Sequence, residues 1–263
     1  MSIKLKMVLV ESGLTGIGFR RVVAVAKASA HEVETCFIPT DNRYSLLAYM
    51  FPYSKDVISK DDIDPIARHL ADADVVGFSS VTFAKTYVEP IIVKIKELNP
   101  TCHIIWGGPH PTLYPEEALK FANSICRGEG EKWMADYTGV EHVKRPSFQG
   151  YDCMVYDAKL KQFQKLTPKI YAIFNGILFR TLFSTGCPFH CAYCANDALV
   201  KLDPEYRKIR HPGVEWIIEE IRRAKEIYPF IRVVAFDDDN FIALPTEVIR
   251  EFCRLWKRDI NLP

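Results

Sequence analysis

Over the first 140 residues, short apolar runs alternate with stretches whose apolar positions recur at helical spacing. Residues 4–10 form a strand-length apolar run that Glu11 ends, and Ser12-Gly13-Leu14-Thr15-Gly16-Ile17-Gly18 follows as a glycine-rich loop. Phe19, Val22, Val23 and Ala26 then fall on one face of a helix. Residues 32–39 and 74–80 predict a second and a third strand. Val88, Ile91, Ile92, Ile95 and Leu98 mark an amphipathic helix, with Pro90 expected in its first turn, where a missing N–H is tolerated. Residues 103–106 predict a fourth strand running into Gly107-Gly108-Pro109-His110. Residues 115–122 read as a short helix, and 124–127 as a last strand before Gly128-Glu129-Gly130-Glu131.

Alternating strands and helices imply an α/β fold with a parallel sheet. Ligands of such sheets bind at the carboxyl ends of the strands. The loops at 13–18, 79–82 and 107–110 all follow strands and so share one rim. The first reads G-x-x-G-x-G, and no acidic residue ends the second strand, so it fails the dinucleotide pattern. Residues 141–178 read as a connector, in which 151–156 and 161–163 can form a hairpin. A second βα series opens with a strand near 178–184. Val214, Ile217, Ile218 and Ile221 continue it as a helix, 231–236 as a strand and 245–256 as a helix; residues 259–263 look like the approach to another strand.

Composition narrows the class. Apolar residues make up 48% of the 263, enough for a packed core, and 34 Lys and Arg against 33 Asp and Glu leave a net charge of +1. Bulk charge therefore gives no reason to expect nucleic acid or a membrane surface as partner. There is no signal-peptide pattern and no apolar run of membrane-spanning length, and a cytoplasmic location is expected. Cys36, Cys102, Cys126, Cys153 and Cys253 are scattered, as reduced core residues would be. Cys187, Cys191 and Cys194 are not: they lie in Thr185-Gly186-Cys187-Pro188-Phe189-His190-Cys191-Ala192-Tyr193-Cys194, a C-x3-C-x2-C spacing. Three thiolates are one ligand short of a structural zinc site. Three around a 4Fe–4S cluster leave one iron open to a small molecule. His190 is the one nearby residue that could complete a zinc site.

This triplet, with Tyr193 before its last cysteine, resembles the cluster motif of radical S-adenosylmethionine (SAM) enzymes, in the class that carries a cobalamin-binding domain. Residues 76–80, 107–112 and 127–131 resemble runs of that domain, and Asp237-Asp238-Asp239-Asn240-Phe241 resembles the acidic motif after the second barrel strand. The resemblance implies a Rossmann-like cobalamin-binding domain over 1–140, the connector over 141–178, and over 179–263 the first part of a radical SAM (β/α)6 partial barrel. It implies three cofactors: a 4Fe–4S cluster on Cys187, Cys191 and Cys194; SAM near Tyr193 and Asp237 or Asp238, ahead of Asp239; and cobalamin near Gly16, Ser79, Ser80, Thr82, Gly107, Gly108, Pro109 and His110. SAM would chelate the open iron and be cleaved reductively to a 5′-deoxyadenosyl radical. Methylation of an unactivated carbon or phosphorus centre of a small molecule is the leading expectation, with radical cyclisation or rearrangement next. Flavodoxin or ferredoxin would be the electron donor.

Two departures from the family pattern matter. The stretch after the first strand has no histidine, which rules out cobalt ligation from that loop, and His110 is expected to be a turn residue near the ligand. The chain also holds two of about six barrel units, so it is expected to be weakly active or inactive alone, its barrel completed by further chain or a second chain. A vestigial cobalamin domain and a zinc-binding module without enzyme activity are the alternatives.

Overall fold

Residues Leu5 to Val10 are all buried, so the first strand lies covered on both faces, as a central strand of a parallel sheet must. The computed structural model describes residues 2–14, 16–40, 58–141 and 152–262. The chain divides into two compact units, residues 1–174 and 175–263.

In the first unit, β1 (Lys4–Glu11), α1 (Ile17–Lys27) and β2 (Glu32–Pro39) follow the expected pattern. Then come α2 (Ile63–Leu70), β3 (Val75–Ser80), α3 (Lys85–Leu98), β4 (His103–Gly107), α4 (Pro109–Leu113), α5 (Pro115–Ala118), β5 (Ser124–Cys126), α6 (Gly130–Thr138), β6 (Met154–Asp157), β7 (Gln162–Lys165) and α7 (Pro168–Asn175). The sheet order is β5-β4-β3-β1-β2-β6-β7; every pairing is parallel except β6 with β7. The expected α/β class is therefore what the structure has.

One face of the sheet carries Val8, Val10, Cys36, Ile38, Val76, Phe78, Ile104 and Trp106, packed in one core with Ile66 and Leu70 of α2 and Val88, Ile91, Ile92 and Ile95 of α3. Each such side chain gains about 1.5–3 kcal/mol from burial, so this face is the main source of cohesion in the unit. A lysine also sits in β1: Lys6, 2% exposed, lies 3.2 Å from Glu34 and 2.7 Å from Asp72, and donates to the His69 carbonyl. Pairing with two carboxylates is what lets a buried ammonium persist.

Several expectations change. Helix α3 begins at Lys85, after a 3-10 turn over Thr82–Ala84, so Pro90 lies in its interior and not in its first turn. The apolar stripe begins at Val88, three residues after the helix does, which misplaced its start. The helix read over 115–122 is shorter, α5 over Pro115–Ala118, and a separate short helix, α4, precedes it over Pro109–Leu113. The segment read as a connector is a continuation of the sheet: Cys36 and Phe37 pair with Met154 and Val155, and the expected hairpin forms as β6–β7. Tyr151 of that hairpin and Thr15 of the first loop lie outside the described residues.

The second unit holds β8 (Leu178–Thr181), α8 (Asn196–Leu202), α9 (Val214–Ile227), β9 (Val233–Phe236) and α10 (Thr246–Leu255). Strands β8 and β9 pair in parallel, with the α9 crossover between them. Ile217 and Ile221 of α9 are fully buried. Phe236, Phe241, Phe252 and Trp256 make an aromatic cluster with neighbouring ring centroids 5.4–6.1 Å apart. Of residues 259–263, expected to approach a strand, Asp259 and Ile260 instead belong to a turn of π-helix, Trp256–Ile260, that extends α10. Among the described residues no helix is long and apolar enough to cross a membrane.

Candidate functional site

The strand order of the first unit, read from β2 to β5, is 2-1-3-4-5, and connections leave β1 and β3 towards opposite edges of the sheet. The crevice outside the carboxyl ends of these two strands is where doubly wound sheets bind ligands. Parallel register aligns Val10 with Ser80, Leu9 with Ser79, and Ser79 with Gly107. Ser79, Ser80, Thr82, Gly107, Gly108 and Gly16, the residue before α1, are thus brought to one rim.

Their roles differ. Ser80 is buried and its hydroxyl accepts the Trp106 indole N–H at 2.9 Å, a bond made within the core. Gly108 has φ +95°, and a Cβ there would meet the Ser80 backbone at 2.8–2.9 Å and Ser79 Oγ at 3.1 Å. It is glycine because β4 leaves the sheet against the end of β3. At Gly16 a Cβ would meet Leu9 at 2.8 Å. Packing within the chain therefore accounts for these two glycines before any ligand is invoked. Gly18 and Gly128 adjoin open space.

Pro109 is exposed at the start of α4. His110, expected at a turn, is in α4 and 0% exposed, its ring 5.0 Å from that of Trp106 and 5.6 Å from that of Tyr114. Neither ring nitrogen has a hydrogen-bond partner among the described residues. Burial holds its pKa below the usual histidine value. Thr40, just past β2, has a buried hydroxyl in the same condition. Thr82 is half-buried between exposed Val81 and Phe83, the latter 54% exposed. Sequence reasoning passed over this apolar pair, since an exposed phenylalanine is visible only once the rim is built. Small residues in the crevice leave the backbone open to close approach by a bulky ligand.

In the second unit, the cysteine loop leaves the carboxyl end of β8. Gly186 has φ +98°, and a Cβ on it would come within 2.3 Å of the Lys208 carbonyl oxygen. Thr185 and Arg210 exchange backbone hydrogen bonds of 3.0 and 2.9 Å, and the Cys187 N–H donates to the Tyr206 carbonyl at 3.0 Å. Cys187 is buried and Cys191 and Cys194 are half-buried. Tyr193 is 94% exposed, so its ring is not part of the core.

Among the described residues, the one group of three or more ligand atoms all within 4.8 Å of one another is Glu34, Cys36 and His69. In that group the Lys6 ammonium is already paired with Glu34, and burial pushes the Cys36 thiol well above its usual pKa. His190 lies half-exposed, 3.7 Å from Asp197 and 3.4 Å from Arg207, in no ligand set with the cysteines.

The acidic run is engaged by protein. Asp237 receives a two-point contact from Arg180 at 2.7 and 2.8 Å. Asp238 accepts the backbone N–H groups of Phe183 at 3.0 Å and Ser184 at 2.5 Å, and the Ser184 hydroxyl. Asp239 accepts the Tyr206 hydroxyl at 2.8 Å. Below the strand end, buried Glu220 of α9 accepts from the Thr181 hydroxyl. Arg180, Ser184, Tyr206 and Glu220 were not singled out from sequence; the fold brings the first three to the acidic run and Glu220 to Thr181.

The model of the B12 binding domain family matches residues 5–137. An uncharacterized methyltransferase of Pyrococcus horikoshii is 26% identical over 196 residues, 65% of this chain and 40% of that protein. The anaerobic magnesium-protoporphyrin IX monomethyl ester cyclase of Rubrivivax gelatinosus is 26% identical over 219 residues, 72% of this chain and 38% of its own length. Bacteriochlorophyllide d C-12(1)-methyltransferase of Chlorobaculum tepidum is 25% identical over 216 residues, with coverage of 76% and 44%. The chain thus spans about two fifths of the length of these relatives.

Proposed function

The chain belongs to the B12 binding domain family over residues 5–137, and from that premise we propose that it carries the cobalamin-binding and cluster-binding parts of a radical SAM methyltransferase. The observation that carries the second part is the cysteine loop: one buried and two half-buried thiols at C-x3-C-x2-C spacing, in a loop that follows a parallel strand end. Similarity to two proteins named methyltransferases supports methyl transfer over cyclisation.

When bound, the cluster with SAM supplies a 5′-deoxyadenosyl radical, and cobalamin carries the methyl group. The chain's own part is placement. Cys187, Cys191 and Cys194 would hold three irons of a 4Fe–4S cluster and leave the fourth for SAM. Tyr193, with its exposed ring, would contact SAM. The rim of Ser79, Thr82, Gly107, Gly108 and Pro109, with Val81 and Phe83, would receive the corrinoid, and His110, 0% exposed within α4, would not ligate cobalt. A one-electron donor of the flavodoxin or ferredoxin kind would supply the electron that the cluster needs. The acceptor is an unactivated carbon or phosphorus centre of a small molecule.

Two arms test this. The chain incubated anaerobically with hydroxocobalamin retains corrinoid absorbance after desalting, and Phe83→Asp, at an exposed position that burial does not defend, retains at least tenfold less. Replacing any one of the three cysteines by Ala reduces the iron taken up on reconstitution with ferrous iron and sulfide. No retained corrinoid removes the cobalamin part of the proposal; iron uptake indifferent to all three cysteines removes the cluster part.

A further inference from the structure

Ladder bonding between β8 and β9 ends at the pair Thr181–Phe236 and the following bond from the Asp237 N–H to the Thr181 carbonyl at 2.9 Å. Beyond it the chain after β8 must leave the sheet within a few residues to reach Cys187, and its amides lose their neighbouring strand. A side chain takes over that role. One oxygen of Asp238 accepts the Phe183 N–H, and the other accepts both the N–H and the hydroxyl of Ser184. The next amides are satisfied from residues 206–210: Thr185 N–H by the Arg210 carbonyl and Cys187 N–H by the Tyr206 carbonyl. Tyr206 is held in turn through its hydroxyl by Asp239. Both arms of the cysteine loop are thus tied to consecutive carboxylates at the end of β9.

A carboxylate has about four lone-pair positions, and three of those on Asp238 are filled by the chain itself. Asp237 spends both oxygens on Arg180. The run resembling a SAM-contacting motif is therefore mostly occupied before SAM arrives. We propose that Asp238 is a positioning residue: it fixes the stem of the cysteine loop so that Cys187 stands ready for the cluster, and it does so in the chain free of iron and SAM. This builds on the reading of Cys187, Cys191 and Cys194 as cluster ligands.

Amide exchange in the iron-free full chain tests the clamp apart from the cofactors. Charge-assisted bonds of this kind resist opening by roughly tenfold or more, so Asp238→Asn should speed exchange at the Phe183 and Ser184 amides at least tenfold. After reconstitution it should hold less than half the wild-type iron. The iron it does hold should give a broadened EPR signal of several components, which a loss of global stability alone would not produce. Asp238→Glu, which keeps the acceptor, should retain more iron than Asp238→Asn. If Asp238→Asn does not fold, Ser184→Ala, which leaves the carboxylate in place, should still speed exchange at these amides severalfold. Unchanged exchange in the folded variants overturns the proposal. So does an Asp238→Asn chain with wild-type exchange and iron but weakened SAM binding, which would make Asp238 a direct SAM ligand. Wild-type protein that takes up no iron while Asp238 still protects the two amides would defeat the cluster reading and leave the clamp standing.

Discussion

Gly186 and Gly18 look alike in the sequence and stand at opposite extremes in the structure. Gly186→Ala places a methyl group 2.3 Å from a backbone carbonyl at φ +98°, and neither the left-handed backbone nor the contact can relax cheaply. A cost of about 3 kcal/mol or more is expected, with loss of iron uptake. Gly18 lies inside α1, where an added Cβ would meet nothing within 4 Å, so Gly18→Ala should stabilise by roughly 0.5–1 kcal/mol. Urea denaturation of the two variants checks both signs. At this scale the cysteine triplet was legible because its chemistry is set by spacing along the chain. The work of Asp238 was not, because its partners, Phe183 and Ser184, are more than fifty residues away and reach it only through the β8–β9 register. His110 shows the same limit: the sequence places it after a strand, whereas its burial between Trp106 and Tyr114 depends on how α4 folds back.

Among elements, the strands were the most legible, since a strand covered on both faces is a continuous apolar run. Helix α2 and the sheet membership of β6 and β7 were missed. Strand β6 is four residues long and its partner β2 lies more than a hundred residues earlier, a distance over which local pattern carries no signal. Asp62 secures that hairpin. Its buried carboxylate accepts from Lys161 Nζ at 2.7 Å, Tyr156 Oη at 2.9 Å, and the Ser59 N–H and hydroxyl at 2.7 Å each. Burial alone would raise its pKa; the hydrogen bonds, that from Lys161 foremost, outweigh burial and hold it below the usual value. A carboxyl with a depressed folded pKa adds stability above its unfolded pKa of about 3.9 and loses it as pH falls through the lower folded value. Asp62→Asn should therefore cost about 2 kcal/mol at pH 7 and flatten the loss of stability between about pH 5 and pH 2. Denaturation midpoints across that range check it, and parallel curves for the two proteins would contradict it.

For the molecule as a whole, strand order is what converts pattern into a site. The alternation of strands and helices anticipated a parallel sheet, but only the 2-1-3-4-5 arrangement locates the crevice between β1 and β3. Two binding functions in one chain are the central claim, and metal content tests it most directly. Full-length protein, reconstituted anaerobically with ferrous iron, sulfide and hydroxocobalamin and then desalted, should hold about four irons and one cobalt per chain. One zinc with no iron and no cobalt would contradict the account.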